Sequence, residues 1–130
     1  MIHKLFFWGF LGTIILCGSH NQVVANSPAT NQQQMIVLSD IEADPDDTQS
    51  FVRLLLYSNE IDIKGLIATT SCWLKTEVNP ESIKKIIQEY GKVQPNLFKH
   101  DAGFPAAESL MALVKQGLPN YGMLGVGEGK

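Results

Sequence analysis

The sequence predicts an α/β fold built on parallel strands, and three observations carry the prediction. An apolar run at Met35-Ile36-Val37-Leu38, a helical stripe over Asp46–Tyr57 and a second apolar run from Ile61 to Thr70 follow in close succession. Strand, helix and strand at that spacing form a βαβ unit, which makes the strands parallel with a right-handed crossover. Both apolar runs end in polar clusters, Asp40 to Asp47 and Thr69-Thr70-Ser71, where open α/β sheets place their ligands. Two further helical patterns follow.

Taken in order, Met35–Leu38 is a short continuous apolar run suited to a strand buried on both faces. In Asp46–Tyr57, the residues Phe51, Val52, Leu54, Leu55 and Leu56 mark an apolar face, interrupted by Arg53, a candidate partner for an acid. Asp46 and Asp47 stand at its amino end, where carboxylates suit the helix dipole. Ser58-Asn59 ends it, and Ile61, Ile63, Leu66, Ile67 and Ala68 make the second strand. A helix is expected over Pro80–Tyr90, with Asn79 as N-cap, Pro80 in the first turn and Gly91 closing it. A third is expected over Pro105–Gln116, with Ala106, Leu110, Leu113 and Val114 inward.

The 130 residues are 45% hydrophobic and 18% charged, with mean hydropathy near zero, as in a globular domain. Residues 1–25 stand apart. Met1-Ile2-His3-Lys4 is a short basic start, Leu5–Cys17 is almost wholly apolar, and Val23-Val24-Ala25 ends on a small residue. That is the pattern of a secretory signal peptide cleaved after Ala25, so the protein is expected to be secreted or periplasmic. The apolar stretch falls well short of the roughly 20 residues that span a bilayer, so no stable membrane anchor is expected. Leu16, bulky where a small residue precedes a lipidated cysteine, weighs against a lipoprotein built on Cys17. Residues 26–34 are polar and aperiodic, a flexible lead-in to a domain over 35–130. The glycine-rich end, Tyr121 to Lys130, reads as a loop with no closing element, as if the domain were cut there.

Without residues 1–25, nine basic side chains face thirteen acidic ones. That balance argues against a polyanionic partner such as nucleic acid. It also leaves Cys72 alone, with no internal disulfide to make; a buried structural thiol is expected there. Five of the acids, Asp40, Glu42, Asp44, Asp46 and Asp47, crowd into eight residues. Two readings stay open: a solvated acidic turn capping the next helix, or a Ca²⁺ site, since that ion takes six to eight oxygen ligands. With the hydroxyls of Thr69-Thr70-Ser71 across a crevice, the second becomes a metal–polyol site. Trp73 is placed to stack on a sugar ring or to pack in a core, and His100 lies in the expected loop Lys99 to Gly103.

The pattern Asp-x-Glu-x-x-x-Asp-Asp at Asp40, Glu42, Asp46 and Asp47, followed by a helix and by Leu66-Ile67-Ala68-Thr69-Thr70, resembles the nucleoside hydrolases. Their opening motif is Asp-x-Asp-x-Gly-x-Asp-Asp. The likeness is closer to a secreted bacterial branch, the nucleoside hydrolase-like domain described as cellulose-binding. It runs through Arg53-Leu54-Leu55-Leu56-Tyr57, Gly65 to Trp73, Pro95-Asn96-Leu97 and Lys99-His100. The resemblance implies a doubly wound, mainly parallel sheet with helices on both faces, of which this chain is the amino-terminal part. It implies Ca²⁺ held by Asp40, Asp47 and Glu42, with Glu42 also the base that activates the attacking water. Asp46, Thr70, Trp73 and His100 become the substrate-binding residues. The implied reaction is hydrolysis of an N-glycosyl or related glycosyl bond in a small nucleoside or glycoside. The alternative is a non-catalytic carbohydrate (cellulose)-binding protein on the same scaffold; polysaccharide and a second copy of the chain are further candidate partners. Three features favour that alternative: Leu74 stands near the place of a substrate-holding asparagine, Tyr121 replaces a histidine, and the expected address is extracellular. Asp44 in place of the motif glycine is a further departure, in the loop.

Overall fold

In the computed structural model, residues 32–127 are described. The expected signal peptide at 1–25, and the lead-in as far as residue 31, lie outside them. Three parallel strands, β1 (Gln33–Ser39), β2 (Ile61–Ala68) and β3 (Val114–Gln116), form one sheet in the order β1-β2-β3. Helix α1 (Pro45–Leu56) connects the first pair. Helices α2 (Pro80–His100) and α3 (Ala107–Ala112) connect the second. The α/β class and the parallel βαβ unit are therefore as predicted. Among the described residues no helix is long and apolar enough to cross a membrane.

β1 starts two residues earlier than its apolar run. Gln33 pairs with Ile61, and the Gln34 side chain donates to Asp62 Oδ2 at 3.3 Å. Only one face of β1 is covered. Val37 packs on the core and Ser39 is buried, whereas Ile36 and Leu38, on the other face, are 59% and 64% exposed. Among the described residues β1 lies at one edge of the sheet and the helices pack on one of its faces, so the expected burial of both faces is not seen there. That core joins Phe51 and Leu55 of α1, Ile83, Ile87 and Tyr90 of α2, Leu110 of α3, and Ile63, Leu66, Ala68 and Val114 of the sheet.

Two helix boundaries also differ. α2 does not stop at Gly91 but continues through Pro95 to His100. A Cβ on Gly91 would lie 3.1 Å from Ala107 Cβ, so this glycine permits close approach of α3 rather than ending α2. On either side of it, Tyr90 Oη donates to Pro105 O at 2.8 Å and Gln94 Nε2 to Phe104 O at 3.3 Å, tying these turns to the incoming chain. The expected third helix splits into α3 and β3. Leu66 N–H donates to Leu113 O at 3.1 Å and Val114 pairs with Leu66. The open edge of β2 needs partners for its backbone groups, and that need outweighs helix propensity.

Candidate functional site

β1 and β2 end together, because Thr69 N–H donates to Ser39 O at 2.8 Å. From this shared end the acidic segment departs in a tight turn, closed by Ala43 N–H on Asp40 O at 2.9 Å. The turn puts Glu42 at φ +80°, a conformation that glycine favours and that costs other residues on the order of 1–3 kcal/mol. Two contacts hold it there. Ile41 beneath the turn is fully buried, and the Asn79 side chain donates to Ile41 O at 3.4 Å. Asn79 thus serves the loop instead of capping α2, for which it makes no side-chain bond. Asp44, in extended conformation, precedes α1, and Pro45 sits in the first turn.

The acids do not all converge. Among the described residues no three histidine, cysteine or acidic side chains gather closely enough to cage a metal ion. What forms is a pair. The carboxyls of Asp40 and Asp47 lie close enough that each shifts the other's titration. Asp46 instead turns back to accept Asp47 N–H at 3.0 Å, and it is exposed, as is the Glu42 side chain at the crest of its turn.

The pair is electrostatically asymmetric. The Ser71 hydroxyl beside Asp40 holds that carboxyl below the ordinary value of 3.8, against the opposing effect of burial and with help from Asp47. Burial first, and then the neighbouring Asp40 carboxyl and the charge of Asp46, push Asp47 above it. Two carboxyls this close favour sharing one proton, and a bound cation relieves the same repulsion. The pair offers hard oxygen donors, but only part of the six to eight oxygens that Ca²⁺ takes. In the cation-free protein, Asp40 contributes stability that is present above 3.8 and lost as pH falls through its lowered value. Asp47 contributes stability that is present below 3.8 and lost as pH rises through its raised value. The thermal midpoint is therefore expected to carry a decline above 3.8 that Asp47→Asn removes. A decline that persists unchanged in Asp47→Asn would assign it to other groups.

Across the crevice, Thr70 Oγ1 donates to Asn120 O at 3.3 Å, fastening the Tyr121 segment to the end of β2. Ser71 Oγ accepts the N–H groups of Trp73 and Leu74 at 3.0 and 3.1 Å, a local turn that leaves Trp73 80% exposed. Trp73 is therefore not a core residue, and Cys72, also exposed, is not a buried structural thiol. A cleft of about 440 Å³, lined by Leu38, Thr69, Thr70, Gly117, Asn120 and Gly125 among others, opens at this edge. A more apolar groove of about 340 Å³ lies between α1 and α2, lined by Val52, Leu56, Ile86 and Val93, and none of the five acids lines it.

His100 is not at this edge. It occupies the last turn of α2, not a loop, and the following Asp101 accepts Asn59 Nδ2 at 2.8 Å just ahead of β2. α2 begins beside Ile41, at the carboxyl end of the strands, and its 21 residues carry His100 roughly 30 Å along the axis to the opposite end. The long helix that the glycine seemed to stop is what removes His100 from the substrate-binding set. Arg53 is exposed and forms no ion pair among the described residues. Sequence reasoning counted Ser71 among the crevice hydroxyls, read Asn79 only as an N-cap, and missed Ser39. Ser39 could have been found, since it continues the inward alternation of Met35 and Val37.

Comparison with known proteins agrees with this architecture. A model of the family described as cellulose-binding Sde182, nucleoside hydrolase-like domain, matches residues 34–130. No curated protein matches. Among solved structures the chain is similar to a nucleoside hydrolase-related hypothetical protein from Saccharophagus degradans that is associated with carbohydrate metabolism. The two are 42% identical with a TM-score of 0.73, over 76% of this chain and 24% of that one. The matched region thus spans about a quarter of that protein's length.

Proposed function

Since this chain belongs to the cellulose-binding Sde182 family, through its nucleoside hydrolase-like domain, we propose that its acidic edge is a Ca²⁺-dependent carbohydrate site that hydrolyses a glycosyl bond. The observation that carries the reading is the proximity of the Asp40 and Asp47 carboxyls, each shifting the other's titration, at the shared carboxyl end of β1 and β2. Asp40 and Asp47 would hold the ion, which when bound supplies a hard Lewis acid for sugar hydroxyls and water. Asp46 and Thr70 would receive sugar hydroxyls. Glu42, held at the crest of a strained turn, takes the proton of the attacking water. The water oxygen bonds to the anomeric carbon, the bond to the leaving group breaks, and the leaving group departs with the electron pair and is protonated by solvent.

One observation favours a second reading, binding without turnover: the 80% exposure of Trp73, an aromatic face offered to solvent beside the crevice. A single set of assays separates the two. The chain in calcium is mixed with insoluble cellulose, soluble oligosaccharides and nucleosides, and retention and release of base or reducing sugar are measured. Hydrolysis predicts that Glu42→Gln lowers turnover by about 10²–10⁴-fold and leaves retention intact. Retention lost in Trp73→Ala, with no turnover by the unsubstituted chain, selects binding. Neither retention nor turnover would remove both readings.

A further inference from the structure

We infer that Ser39 is a positioning residue whose hydroxyl holds the Asp47 carboxylate ready to receive the cation. Resting on the cation reading above, this adds a residue that the motif does not contain. Ser39 is only 7% exposed, and its Oγ has no hydrogen-bond partner among the described residues. It is the last residue of β1, directly before Asp40, and it faces a groove of about 260 Å³ lined also by Val37, Asp47, Ser50, Phe51 and Leu54.

A buried hydroxyl among valine, phenylalanine and leucine is costly unless it gains a partner, and buried polar groups in native proteins almost always have one. Alanine or valine would fill the same inward position of the strand without that cost. Among the described residues Asp47 supplies the only carboxyl in the groove wall. Asp47 also lies beside Asp40. An ionised carboxylate offers acceptor sites on both oxygens, so Asp47 can serve a cation on one side and the Ser39 hydroxyl on the other. Outer hydrogen bonds of this kind orient the carboxylates that ligate metals.

The test is a calcium titration by calorimetry on the full chain and on Ser39→Ala, Ser39→Thr and Ser39→Cys, with thermal midpoints recorded in chelator. Ser39→Ala is expected to raise Kd by about 10–100-fold, the usual effect of losing an outer partner. Its cation-free midpoint should be equal to or above that of the unsubstituted chain, since the unpartnered hydroxyl is gone. Ser39→Thr, which keeps the hydroxyl, should stay within a few-fold, and Ser39→Cys, a weak donor of nearly the same shape, should follow alanine. Tight calcium binding by the unsubstituted chain with equal binding by Ser39→Ala overturns this inference alone. So does a lowered cation-free midpoint with unchanged Kd, the mark of a packing role. No calcium binding by the unsubstituted chain overturns it together with the reading on which it rests.

Discussion

Leu66→Ala is expected to cost about 2–5 kcal/mol of folding free energy, the range for leucine truncation in a close-packed core. Leu66 lies in the central strand, fully buried, paired with Val37 on one side and Val114 on the other. Its backbone N–H is held by Leu113 O, so the strand cannot shift to fill the space. The thermal midpoint should fall by at least about 8 °C, since 1 kcal/mol corresponds to roughly 4–8 °C in a domain of this size. Met123→Ala, at an exposed side chain, should stay within about 0.5 kcal/mol. Equal losses at the two positions, read from thermal or denaturant unfolding, would contradict the placement of the core.

Asp47→Asn is expected to have the larger effect on function. Removing a carboxylate that would touch the cation should weaken calcium binding by more than the roughly 10–100-fold attributed to outer partners. The same change should raise the cation-free thermal midpoint at neutral pH. Burial and the charges of Asp40 and Asp46 all disfavour the ionised Asp47 carboxyl, and asparagine keeps the shape without the charge. A variant more stable without calcium yet unable to bind it would show that the acid is retained for its ligand. Lower stability in chelator together with unchanged calcium binding would assign Asp47 a structural role.

Much of this was readable in the residues. Apolar runs of strand length, an apolar stripe of helical period and turn residues between them led directly to β1, α1 and β2, within two residues at their ends. The acids at the end of β1 and the hydroxyls at the end of β2 were placed on one edge by the parallel pairing alone. What was not readable depended on long-range packing. Gly91 reads as a helix stop from its neighbours, and only Ala107 shows it to be a contact point. Val114 to Gln116 fits a helix as well as a strand until the free edge of β2 claims it. Within the site, five acids in a row carry no indication of which ones meet. That choice is made by the turn at Glu42, the buried Ile41 beneath it and the first turn of α1, which together bring Asp40 to Asp47 and turn Asp46 away.

Calcium titration of the full chain beside Asp40→Asn and Asp47→Asn is the most direct measurement. One ion bound per chain, with the heat of binding lost in each single variant, is the result expected from a shared carboxylate pair. Undiminished binding when both residues are neutralised would place the ion elsewhere and contradict the site.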